Sequence, residues 1–168
     1  MTSTKKLTFA GLFLALAVLI PMVFHLTGIA GPIFLPMHIP VILCGFICGK
    51  KYGLLVGAIA PLINTLILGM PVLYPIGIAM VFELAAYGFF AGLLFKKSKR
   101  VMPALIGAMV LGRIIRILAT FLITVPFGAV FIFKGILVAI FVTSIWGIII
   151  QLVLIPLVLA AHSRLSNN

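Results

Sequence analysis

A chain of 168 residues that is 65% hydrophobic and only 8% charged is too apolar for a soluble globular domain. Lipid offers backbone groups no outside partner, so the fold class is an all-α integral membrane protein. At about 20 residues per span, six transmembrane helices fill the chain and form a single domain over residues 1–168, with no room for a soluble catalytic appendage. The formal charge of +11 raises nucleic acid as a partner. Most of the basic residues, however, lie in short clusters between apolar runs, which is topology signalling and argues against nucleic acid.

Residues 1–6 are polar, and the first span is expected over Leu7–Phe24. A signal peptide is the rival reading, with Lys5 and Lys6, an apolar core and a Gly28-Ile29-Ala30 site. The run is long for that, and every later segment is membranous. This helix carries Gly11-x-x-x-Ala15, followed by Ala17. Small residues one turn apart let helices approach closely in lipid, either within the bundle or against another membrane protein.

His25–Met37 holds Gly28, Gly31, Pro32 and Pro36, yet it is apolar, so it reads as a lid folded over the bundle. A short second span is expected over His38–Gly49, and Lys50-Lys51-Tyr52 reads as a tight turn. Cys44 and Cys48 stand one helical turn apart without His or acidic neighbours, so they read as packing residues rather than a disulfide or a metal site. The third span, Gly53–Leu68, contains Pro61 and Asn64. After the turn Gly69–Pro75, which carries Tyr74, the fourth span, Ile76–Phe95, contains Glu83 and Tyr87. Lys96, Lys97, Lys99 and Arg100 make the most basic turn.

The fifth span, Val101–Val125, has Arg113 and Arg116 in its middle. Each such charge costs roughly 2.5–3.5 kcal/mol on insertion scales. The two share one helix face. Glu83 is the chain's one acid, so it cannot neutralise both. Pro126–Phe133 is another connection, Lys134 opens a sixth span that runs to about Ala161 with Trp146 and Gln151, and His162–Asn168 is a polar tail with Arg164.

Nine basic residues fall at the N-terminus, the 50–51 turn, the 96–100 turn and the tail, against Lys134 alone on the other side. The positive-inside rule then puts both termini in the cytoplasm and the 25–37, 69–75 and 126–133 loops outside. At about 1.5 Å per residue, Glu83 lies roughly 10 Å from the outer end of its helix, Arg116 roughly 13 Å and Arg113 roughly 18 Å. Glu83 and Arg116 are at pairing depth, and Asn64 is in the same outer half. The surplus cation suggests a water-filled pocket for an anionic or strongly polar ligand. Candidate ligand contacts are Arg113, Arg116, Glu83, Asn64, His38, Tyr74, Tyr87 and Trp146.

Each has a plainer reading. Glu83 fits a structural ion pair, Asn64 an interhelical hydrogen bond, His38 a helix start, and the aromatics core or interface packing. Catalysis has little support: a single acid excludes paired-carboxylate chemistry, and no Gly-x-Ser-x-Gly or phosphate-cradling Gly-rich loop with Lys is present. No metal or cofactor is indicated. A self-sufficient small carrier or channel, and a structural membrane subunit without a ligand, are the alternatives to a binding subunit.

The stretch from Pro36 to Phe95 carries Met-His-Ile-Pro, a Tyr-Gly after a basic turn, Gly-Met-Pro, Phe-Glu-Leu and a second Tyr-Gly, in that order. It resembles the substrate-binding S components of energy-coupling factor (ECF) vitamin transporters, in the branch with pantothenate-, folate- and riboflavin-type members. The resemblance implies six helices in a prokaryotic plasma membrane, a vitamin pocket near the outer face, and partners: a membrane-embedded T component and two ATPases. It also implies docking on the T component through a small-residue motif on the first helix, which here begins with Gly11 and continues with Ala15. The surplus positive charge favours a carboxylate-bearing vitamin, pantothenate first.

Overall fold

The computed structural model describes residues 2–28, 31–125, 138 and 142–167, and among these the regular elements are all helical. Helix α1 spans Ser3–Leu26, α2 Gly31–Phe34, α3 His38–Cys48 and α4 Lys50–Leu68. A π-type turn at Leu73–Gly77 leads into α5, Ile78–Ser98. Helix α6 spans Val101–Thr124 and α7 Ile145–Asn167. Five of the described helical segments are long and apolar enough to cross a membrane, and α3 is a shorter apolar helix beside them.

Several boundaries differ from the sequence expectation. Helix α1 starts one turn earlier, because Lys5 and Lys6 are good helix formers and the Lys6 N–H reaches the Thr2 carbonyl at 3.1 Å. The lid segment contains the short α2 rather than loop alone. Lys50-Lys51-Tyr52 is not a turn. Gly49 alone separates α3 from α4, with φ 93°, a value glycine tolerates without steric cost, and Lys50 is already helical. The expected polar tail at His162–Asn168 is helical as far as Asn167. The proposed start of the sixth span at Lys134 and the connection 126–133 lie outside the described residues.

Helix α3 sits at the centre. Its 11 residues give about 16 Å of length, roughly half of a hydrocarbon core. Nine of them are buried, as expected for a helix apolar on every side. It packs against α1, α4 and α5, and α5 also packs against α4 and α6.

Close approach depends on glycine. Gly53 and Gly57 of α4 face Leu84 and Gly88 of α5, and a Cβ on Gly53, Gly57 or Gly88 would press into the partner helix's backbone. This spacing of small residues, Gly53-x-x-x-Gly57 against Gly88-x-x-x-Gly92, lets two helices touch main chain to main chain in lipid. Gly112 of α6 likewise leaves room for the Tyr87 ring.

The start of α1, the α3–α4 junction and the end of α5 border one cleft, and Phe9 of α1 meets His162 near the end of α7. The basic turns therefore gather at one end of the bundle. The end of α1, the start of α3 and the start of α5 meet at the other.

Candidate functional site

At that opposite end lies a cavity of about 750 Å³. Its size suits a small organic ligand. Pro21, Phe24 and His25 of α1, Leu35–His38, Leu68 of α4, the turn Met70–Val72, Ile76, Met80 and Glu83 around α5, Arg113 and Arg116 of α6, and Thr143 and Ser144 line it. The wall is largely apolar and rich in methionine, and the charged groups are concentrated on α5 and α6.

Glu83 organises the polar floor. Arg116 Nη1 donates to its Oε2 in an ion pair. The Tyr87 hydroxyl, one helical turn further along α5, donates to Oε1 at 3.2 Å. His38 Nε2 stands 3.8 Å from Oε2, and the His38 ring lies 5.3 Å from the Tyr87 ring. Arg113 Nη1 donates to Ser144 Oγ at 3.4 Å. Glu83, His38 and Arg113 are almost fully buried, whereas Arg116 is 21% exposed. Neither ring nitrogen of His38 has a hydrogen-bond partner among the described residues, although both are buried. Of the described residues, two guanidinium groups and one carboxylate border the cavity and no lysine does. Among the described residues, no group of three or more His, Cys, Asp or Glu side chains gathers into a metal site.

Of the eight residues singled out from sequence, His38, Glu83, Arg113 and Arg116 border the cavity. Tyr87 stands behind it, holding Glu83. Asn64 ties α4 to α1 instead: its Nδ2 donates to the Ala17 carbonyl at 3.0 Å and the Ala60 carbonyl at 2.9 Å. Tyr74 is half exposed, and its hydroxyl donates to the Ile123 carbonyl at 3.1 Å, joining the turn before α5 to the end of α6. Trp146 is 60% exposed on the outside of α7 and does not reach the cavity. Gly11 and Ala15 face away from the bundle, whereas Ala10, Phe13 and Ala17 face its core.

Sequence reading passed over Met80, His25 and Ser144. Ile76, Met80 and Glu83 recur at helical spacing on one face, a signal that was present. Ser144 carried none, because it sits inside what reads as one unbroken apolar span.

Residues 5–159 match the family model for the ECF transporter, substrate-specific component. No curated protein and no solved structure gives a match. With the match covering nearly the whole of this helical bundle, the chain belongs to the substrate-specific components of ECF transporters, membrane subunits that bind a substrate and are not enzymes.

Proposed function

We propose that the chain captures a small carboxylate-bearing vitamin, pantothenate being the first candidate, from the outer side of a prokaryotic plasma membrane. It then hands the molecule to a T component driven by two ATPases. The observation that carries this reading is the imbalance at the cavity: two arginines and one glutamate line a largely apolar hollow. Arg113 and Arg116 receive the ligand's carboxylate. The ring nitrogens of His38, which make no hydrogen bond to the described residues, accept or donate to its hydroxyl or amide groups. Glu83 and Tyr87 fix Arg116 in place. The basic end faces the cytoplasm with both termini, in keeping with the positive-inside rule, and Gly11 and Ala15 on the outer face of α1 meet the T component.

The test is to purify the chain alone, identify co-purified small molecules by mass spectrometry, and titrate pantothenate and other vitamins by calorimetry. Saturable binding of a carboxylate-bearing vitamin, with weaker binding of its uncharged amide, is the expected result. Binding that is indifferent to the carboxylate would overturn the ligand class. Uptake into liposomes that contain only this chain would instead support a self-sufficient carrier.

A further inference from the structure

Another cavity lies at the opposite, basic end. It is a cleft of about 450 Å³ bordered by Lys6 of α1, Lys50 and Lys51 of α4, and Lys96 and Lys99 at the end of α5. The sole acidic side chain of the chain, Glu83, lines the other cavity, so five lysines from three separate helices border this cleft with no acidic side chain among them. Lys97 and Arg100 belong to the same basic turn but do not line the cleft. Topology signalling alone asks only that basic residues lie on one side of the membrane. It does not require them to surround a hollow. The cleft wall also has an apolar part, Phe46, Ile47 and Phe95, between the lysine stems.

We propose that this cleft is a binding site for the phosphate headgroup of an anionic membrane lipid. Flexible lysines supply point charges to a phosphate of variable pose, and basic pockets between membrane helices are suited to such headgroups. A free phosphate compound shares the headgroup chemistry. The lipid is favoured because the cleft lies where apolar helices end, at headgroup depth, and because the half-buried Ile47 and Phe95 offer a surface to the first carbons of an acyl chain. The site is separate from the ligand cavity, so its failure leaves the proposed function untouched.

The test uses the full chain in nanodiscs of phosphatidylcholine with a minor fraction of cardiolipin or phosphatidylglycerol. Lipids retained through detergent extraction are counted by native mass spectrometry. Wild type should retain anionic lipid well above its share of the membrane, and rising salt should release it. K51Q/K99Q should lower that retention at least about tenfold, since each interfacial lysine is worth roughly fivefold. K97Q/R100Q removes the same charge outside the cleft and should change it little. Equal loss in both variants would overturn the site in favour of a diffuse basic belt. Displacement of the lipid by millimolar inorganic phosphate, with the same two lysines required, would reassign the cleft to a soluble phosphate ligand. Unchanged lipid retention in K51Q/K99Q, with loss of the ATPase-bearing complex, would make it a protein interface and overturn the proposal. If K51Q/K99Q does not fold, the salt and phosphate titrations of wild type decide alone.

Discussion

Arg113 and Arg116 are three residues apart, yet the structure gives them different neighbours. Arg116 is committed to Glu83, while Arg113 donates to Ser144 from a nearly buried position. Removing one partner of a desolvated charge pair costs about 2–5 kcal/mol or more. Arg113→Gln should therefore weaken a carboxylate ligand at least about thirtyfold while leaving its uncharged amide nearly unaffected. Calorimetric titration of the two ligands checks this, and equal losses for both would mean that Arg113 shapes the cavity without meeting the charge. The Glu83–Arg116 pair was legible from sequence because counting residues from each helix end puts both at one depth. Ser144 beside Arg113 was not, because an apolar run hides where a helix begins. Asn64 was visible as a buried polar group, but a lone amide in a helix fits a ligand contact and an interhelical tie equally well. Only its distances to the Ala17 and Ala60 carbonyls decide for the tie.

At the scale of the helices, two glycines make opposite predictions. Any side chain on Gly88 would run into the Gly53 backbone across the α4–α5 contact, whereas a Cβ on Gly11 would meet nothing. Gly88→Ala should destabilise the bundle by about 1–3 kcal/mol, the usual cost of overpacking, and lower its thermal unfolding temperature in detergent. Gly11→Ala should be neutral or slightly stabilising, because alanine is the better helix former by about 1 kcal/mol. A larger change on that outer face separates docking from folding. Gly11→Leu combined with Ala15→Leu should leave ligand affinity of the isolated chain unchanged and abolish co-purification with a T component. Helix existence was readable from the apolar runs, but their limits were not. An apolar run marks the length that faces lipid or core, whereas a helix continues as far as its hydrogen bonds do, through Lys5 at one end of the chain and beyond His162 at the other.

For the molecule as a whole, charge and shape agree: the lysine cleft and the candidate ligand cavity occupy opposite ends of one bundle. If the basic end is cytoplasmic, Leu73→Cys should react with a membrane-impermeant thiol reagent added to intact cells. Ser98→Cys should react only after permeabilisation. The native Cys44 and Cys48 are buried and should give little background. The reverse labelling pattern would turn the molecule over and place the ligand cavity on the cytoplasmic side. The apolar segments were legible from composition, whereas the charge pattern gives an expectation of sidedness that the labelling tests. That the second of them is only half a span long was also visible, but not what its shortness leaves room for.

Helix α3 begins inside the bundle, with His38 at its first position and Met37 just before it, both bordering the candidate ligand cavity. Its peptide dipoles therefore present their positive end, equivalent to roughly half an elementary charge, to whatever occupies that space. The backbone itself adds to the proposed preference for anions, independently of any side chain, and surrounding protein shields it poorly. A chain stripped of both guanidinium groups would still hold a faint bias toward negative ligands, written into the direction of one truncated helix.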